Sequence, residues 1–362
     1  MTNLRRSLPL AITMGDPAGI GPEIIVKAFL RAPDATQGSF VVGDLGCMRR
    51  ALVSICVGGP AFPIALIESP EQAQWVPPRC LPLLHIPHTG GLPPVGQVSA
   101  EAGRIAGACV VWAANAALRG EVAAIVTAPL HKAALALAGE AFSGFPGHTE
   151  MLQAQAAAFH GKAVSALPVR MMLANDELRT VLVSIHVSLR EAIGAVTFDN
   201  VLQTIRITHA SLCAIMGRAP RIGVAGLNPH AGEKGLFGRE EIDLIAPAIV
   251  AACADGVDAK GPFAPDTVFM RARTTSSRAG EFDVVVAMYH DQGLIPVKYL
   301  GVEKGVNFTL GLPFIRTSPD HGTAFDIAGK GVADASSLIS AIRQARSMAT
   351  GQPSVACRFK PS

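Results

Sequence analysis

The chain has 362 residues, of which 49% are hydrophobic and 16% charged, with a formal net charge of +3. That balance excludes a disordered chain. With no long basic block and only 5% aromatic residues, it also argues against a nucleic-acid-binding surface. The apolar stretch 51–67 holds Gly58, Gly59, Pro60 and Pro63, which would break a spanning helix. The apolar run after Arg5 and Arg6 is short and soon meets Asp16, so no signal peptide is expected. The seven cysteines are odd in number and scattered, with no CxxC, as expected of a reduced, cytoplasmic protein without a cysteine zinc site. The length suits two domains or one large two-lobed unit.

Apolar strand patterns alternate with Ala-rich helical ones along the chain. "LPLAITMGD" (8–16) predicts a strand and "GPEIIVKAFLRA" (21–32) a helix; "SFVVGD" (39–44) is a second strand. The Pro-rich segment 76–94 is expected to be a surface excursion. Residues 99–120 predict a helix capped by Ser99, with Glu101 at its positive end and Gly120 past its end. "VAAIVTAPL" (122–130) is a strand, and 167–189 suggests two strands joined at Asn175-Asp176. A strand and loop over 219–230 and a helix over 239–254 follow. Next come a buried strand over 282–291 and a helix over 334–349. Such alternation predicts an α/β fold with a mostly parallel sheet, whose function collects at loops beyond the carboxyl ends of the strands.

Those loops carry the chemistry. "GDPAGIGPE" (15–23) is a tight strand-to-helix turn, neither a Walker loop nor GxGxxG. His186, His230 and His290 each stand at a strand end or in the loop after it, in a chain with ten histidines. Imidazoles from three loops make a natural divalent-metal site, although no two lie at HxxxH spacing. His148 and Thr149 offer a donor and an acceptor at a helix start, where Thr149 is alternatively a simple cap. Lys298, Asn307 and Arg316 lie in a stretch otherwise apolar and Gly-rich, a composition suited to a phosphate or carboxylate. In "DHGTAFDIAGKGVADASS" (320–337), Asp326 can accept hydrogen bonds from a ribose diol, which favours NAD over NADP.

The motifs "TMGDPAGIGPE", "TAPLHK", "GHTE", "LNPHAGEKGLFGREE", "APDTVF", "MYHDQGLIPVKY" and "VNFTLGLPFIRTSPDHGTAFDIAG" resemble those of the 4-hydroxythreonine-4-phosphate dehydrogenase family of vitamin B6 synthesis. The resemblance runs from about residue 8 to 350. More distantly, "HGTAFDIAGKG" is similar to the adenosine loop of isocitrate and isopropylmalate dehydrogenases. The resemblance implies their two-lobed α/β/α fold, with an active-site cleft between lobes. Expected lobes are 1–125 with 285–362, carrying the cofactor loop, and 126–284, carrying metal and substrate loops and the dimer interface. It implies an NAD or NADP enzyme that oxidises the secondary alcohol of 4-(phosphooxy)-L-threonine with decarboxylation, and a homodimer whose active site lies at the subunit interface. His186, His230 and His290 map to the metal ligands, one of them supplied by the other subunit. Zinc suits three imidazoles best; cobalt, manganese and magnesium are alternatives. His148, Thr149, Lys298, Asn307 and Arg316 map to substrate binding, and Gly322 and Asp326 lie in the cofactor loop. Asp266 and Asp291 are the two candidates for the catalytic base.

Where the biosynthetic enzymes typically carry a sequence like "TTHLPL" around the first histidine, this chain has "VSIHVSL". That departure leaves open phospho-D-threonate, phospho-D-erythronate or a terephthalate-type dihydrodiol dicarboxylate as substrate. A zinc hydrolase, a phosphoacyl transferase and a non-catalytic metabolite binder are competing readings, and the Asp326 loop favours the dehydrogenase over all three.

Overall fold

The structure, a computed structural model, describes residues 8–56, 62–301 and 304–350. The parts of the expected lobes at 1–7, 57–61, 302–303 and 351–362 lie outside the described residues. Twelve strands occur among the described residues: β1 (Leu10–Thr13), β2 (Ser39–Gly43), β3 (Ile64–Ile67), β4 (Leu81–His85), β5 (Ala124–Thr127), β6 (Arg170–Ala174), β7 (Arg179–Leu182), β8 (Ile222–Ala225), β9 (Ala259–Phe263), β10 (Val284–Ala287), β11 (Val306–Leu310) and β12 (Ile315–Pro319). The chain divides into two units. One runs to Pro168 and resumes over Leu312–Thr350; the other holds Val169–Gly311.

The first unit orders its strands β3-β4-β2-β1-β5-β12, all parallel. Its central strands are buried along their whole length, so they read as continuous apolar runs rather than alternating ones. The helix Ala100–Leu118 starts as expected: Ser99 Oγ accepts from Ala102 N at 3.2 Å. The expected surface excursion at 76–94 instead contains β4, an interior strand with Leu81, Leu83 and Leu84 buried. Pro82, which disfavours an interior strand, masked it in the sequence.

The second unit orders its strands β11-β6-β7-β10-β8-β9. β7, β10, β8 and β9 are parallel, while β11 and β6 run antiparallel to their neighbours. The expected β6–β7 turn is present: Asn175 Oδ1 accepts from Glu177 N and Leu178 N, both at 2.9 Å, and its Nδ2 donates to Val297 O at 3.0 Å. Both observed boundaries fall later in the chain than expected. A break at 125 would cut β5, and one at 285 would cut β10, which is held between β7 and β8. Among the described residues no helix is long and apolar enough to cross a membrane.

A buried ion pair fastens the first unit's long loop. Lys27 Nζ donates to Glu23 Oε1 and to Gly331 O, each at 2.9 Å, and to Ala333 O. Glu23 accepts from Ala333 N at 2.8 Å and Gly331 N at 3.3 Å. Both side chains are almost fully buried. Breaking such a pair leaves an uncompensated buried charge. Glu23→Ala is therefore expected to lower unfolding free energy by about 3–5 kcal/mol, visible as a lower urea midpoint.

Candidate active site

Three neighbouring parallel strands of the second unit each lead into a histidine. His186 follows β7, His290 follows β10 and His230 follows β8, in the spatial order β7-β10-β8. Strands in a sheet are about 4.8 Å apart, so adjacency alone brings the three loops to one edge. Asp266 follows β9, the next strand along, and is exposed.

Each loop is built differently. His186 has φ +28 and is followed at once by a helix, Leu189–Ala195, that opens with a reciprocal capping box. Ser188 Oγ accepts from Glu191 N, and Glu191 accepts from Ser188 N. His290 begins the helix His290–Tyr299, with Asp291 in its positive first turn. The polar end of "VVVAMYHD" is thus a helix start, and β10 stops at Ala287. His290 Nδ1 donates to Asp291 Oδ1 at 2.6 Å, which leaves Nε2 as the lone-pair nitrogen of the neutral ring.

His230 opens a left-handed turn. His230, Ala231, Glu233 and Lys234 have φ of 54, 54, 42 and 56, with Gly232 between them at 76. Left-handed geometry costs an L-residue roughly 1–2 kcal/mol, so the surroundings must hold it. Glu241, 3% exposed, anchors the residues that lead into the turn: its Oε1 accepts from Leu227 N and Asn228 N, both at 2.7 Å, and its Oε2 from Asn228 Nδ2 at 3.0 Å. A Cβ on Gly232 would lie 2.7 Å from Glu241 Oε2, so only glycine fits there.

The rings of His186 and His290 lie 5.7 Å apart, centroid to centroid, and both line a cavity of about 260 Å³ with Ser184, Tyr289 and Asp291. His230 does not line it. Among the described residues, no three histidine, cysteine or acidic side chains are drawn tightly enough to enclose an ion. Two imidazoles facing one cavity, a third from the adjoining strand and a carboxylate orienting one ring are nonetheless a donor set suited to a divalent cation.

The other expected site residues fall elsewhere. Lys298 is eight residues along the helix from His290, about 12 Å of helical rise, beside Val297, whose carbonyl the β6–β7 turn holds. Asn307 is near the same turn, because its neighbour Val306 pairs with Ala174. Lys298 and Asn307 therefore group together, at the opposite end of β7 from His186. In the first unit, Arg316 on β12 is 5% exposed and donates through Nε and Nη2 to Thr127 Oγ1 on β5, at 3.2 and 2.7 Å. Burial pushes its guanidinium down to about 10, so it stays cationic at neutral pH. His148 is the first residue of the helix His148–Phe159, and Thr149 follows it without capping. Burial, then the Arg316 charge, holds the His148 imidazole well below its usual range and hence neutral.

Gly322 and Asp326 are exposed on the loop after β12. Beside them is a group that the sequence reading did not single out, although its residues lie in the quoted motifs "TMGDPAGIGPE" and "TAPLHK". His131, after β5, stacks on Phe325 at 4.8 Å, and Asp16, after β1, accepts from Ala18 N at 2.8 Å. Asp16 Oδ2 and His131 Nδ1 are buried and find no hydrogen-bond partner among the described residues. Burial raises the Asp16 carboxyl above its usual range. Orphaned polar atoms on the loops beyond β1 and β5, beside the loop after β12, suit a polar ligand at a carboxyl edge.

A mostly parallel α/β scaffold with imidazoles and carboxylates at its carboxyl edge is the layout of a small-molecule enzyme. The family profile described as pyridoxal phosphate biosynthetic protein PdxA matches residues 35–345, and the chain belongs to that family. It is 53% identical over 345 residues to a 4-hydroxythreonine-4-phosphate dehydrogenase of Beijerinckia indica, covering 95% of this chain and 96% of that one. It is 43% identical over 342 residues to a D-threonate 4-phosphate dehydrogenase of Pectobacterium atrosepticum, covering 94% and 99%. A crystal structure of a 4-hydroxythreonine-4-phosphate dehydrogenase from Klebsiella pneumoniae superposes with a TM-score of 0.82 at 42% identity, covering 95% and 100%.

Glu241→Ala is expected to release the left-handed turn. Amide hydrogen exchange over 227–238 should quicken by about 10- to 100-fold, matching the loss of roughly 1–3 kcal/mol that an abandoned buried bonding set costs.

Proposed function

We propose that the chain is a metal-dependent NAD(P) dehydrogenase that oxidises the secondary alcohol of 4-(phosphooxy)-L-threonine, with decarboxylation to 3-amino-2-oxopropyl phosphate. The observation that carries the reading is the emergence of His186, His290 and His230 from three adjacent parallel strands in a chain of this family. Those residues would hold the divalent cation, zinc by donor chemistry, with cobalt, manganese or magnesium as other working ions. Gly322 and Asp326 would hold the nicotinamide cofactor, NAD or NADP, on its adenosine side. Bound, the ion would polarise the alcohol and the nicotinamide would accept its hydride.

The chain's own residues do the rest. Asp291 is engaged with His290 and orients that ring. That engagement leaves Asp266, exposed after β9, as the base for the alcohol proton. As the resemblance implies, Lys298 and Arg316 meet the anionic ends of the substrate, with His148, Thr149 and Asn307 as neutral partners. Arg316 is held in place by Thr127, and burial, then the Arg316 charge, keeps His148 an uncharged donor.

A homodimer with the active site at its interface suits the surface around the histidines. His186 and His230 are exposed in the single chain, beside exposed Val187, Leu189, Ile193, Leu236 and Phe237. Apolar side chains in such a patch call for a covering surface, and a second copy would also complete the ligand set. A cytoplasmic setting suits the scattered cysteines.

With divalent metal and NAD or NADP, 4-(phosphooxy)-L-threonine should give nicotinamide reduction matched by carbon dioxide release. The phospho-D-threonate substrate named for the 43%-identical relative is the comparison to run beside it. A clear preference for phospho-D-threonate would overturn the substrate assignment. His290→Ala should lose metal-dependent turnover; full activity in the chelator-treated variant would overturn the metal reading. Asp266→Asn should lower kcat by about 10²- to 10⁴-fold, with little change in KM.

A further inference from the structure

Gln292 lies in the first turn of the helix that begins at His290, with both ends of its amide engaged. Its Oε1 accepts from Met288 N at 2.6 Å, and its Nε2 donates to Gly226 O at 2.8 Å. The partners fix the orientation of the amide, since the reversed one would set donor against donor and acceptor against acceptor.

The place of those partners matters. Strands β10 and β8 are in parallel register from Val284 opposite Ile222 to Val286 opposite Val224. Met288 and Gly226 are each two residues past the last pair, on either side of the same gap. The side chain of Gln292 is inserted there. It bridges the two strand ends, one hydrogen bond to each.

The tie extends to both sides. Ser184 Oγ, two residues before His186, donates to Met288 O at 2.9 Å. Gly226 N donates to Phe263 O, three residues before Asp266, at 2.8 Å. A chain of hydrogen bonds thus crosses the carboxyl ends of β7, β10, β8 and β9, passing within four residues of every proposed ligand and of the proposed base. Gly226 has no room for a side chain: a Cβ there would lie 3.0 Å from Glu241 Oε1 and 3.0 Å from Ala231 Cα.

We propose that Gln292 is a positioning residue of the metal site: its amide, tied to the ends of β10 and β8, fixes where the His290 loop and the His230 loop each leave the sheet, whichever subunit's ion each ring serves. The proposal rests on the reading that these histidines are metal ligands. Partners that orient metal ligands typically carry 10- to 100-fold of the metal affinity, and Gln292 does so through backbone rather than through a ligand ring.

The test uses the full-length protein freed of metal by dialysis against a chelator and titrated with Co(II). Affinity is read by competition with a chromogenic chelator, and ligand geometry by the visible d–d absorption. Gln292→Ala and Gln292→Met should bind Co(II) about 10- to 100-fold more weakly, with altered d–d bands and unchanged far-UV circular dichroism. Gln292→Met keeps the volume of the side chain, and it decides the matter where the alanine variant does not fold. If Gln292→Met matches the parent in affinity and spectrum while His290→Ala loses Co(II), the positioning role is wrong and the metal site stands. If His290→Ala binds Co(II) as tightly as the parent, the metal reading itself falls, and this inference with it.

Discussion

The parallel pairing of β10 between β7 and β8 is the constraint on which the second unit's site depends. In a parallel sheet all carboxyl ends face one way, so three residues distant in sequence reach one edge without any local motif. His186, His230 and His290 share no helical spacing, and none is needed. Backbone hydrogen bonds in the interior of the sheet fix where each strand ends, and the loops add only a few residues before each ring. That economy has a cost at the edge. Beyond the last paired residues the strands lose their ladder, and something else must hold the loops. Gln292, Ser184 and Glu241 take over there, each by bonding backbone, with Glu241 also accepting from the Asn228 side chain.

The left-handed turn at His230 shows the same division. Four non-glycine residues with positive φ are unfavourable on local grounds. A buried carboxylate with three nitrogen partners outweighs that preference. In the first unit a second buried carboxylate, Glu23, works with Lys27 to pin backbone at Gly331 and Ala333, within the proposed cofactor loop. Both devices hold a functional loop by its backbone, which leaves the exposed side chains of that loop available for chemistry.

Much of the fold was legible in the sequence. The alternation of apolar runs with Ala-rich helices indicated a mostly parallel α/β architecture, and the Ser99 cap and the Asn175 turn stand where their chemistry places them. What escaped was set by tertiary context. β4 was hidden by Pro82, which an interior strand rarely admits. The helix at His290 was hidden by Gly293 and Pro296, both poor helix formers. The boundaries between the units were missed because strand order does not follow chain order. The three histidines were legible one by one, as residues after strands, but their placement along one sheet edge was not. That placement depends on β10 inserting between β7 and β8, which no spacing reveals. Thr127, Gln292 and Glu241 stand in the quoted motifs "TAPLHK", "MYHDQGLIPVKY" and "LNPHAGEKGLFGREE", but their roles were not legible there, since each acquires its role only from the backbone or guanidinium it meets.

The central claim is that His186, His230 and His290 serve one ion. Anomalous diffraction from crystals of the protein prepared with zinc, recorded on either side of the zinc edge, tests it directly. The account predicts one peak per site, about 2.0–2.1 Å from a nitrogen of each of the three histidines, whichever subunits provide them. A peak that leaves any of the three rings out of coordination distance, or no peak at that edge, would contradict it.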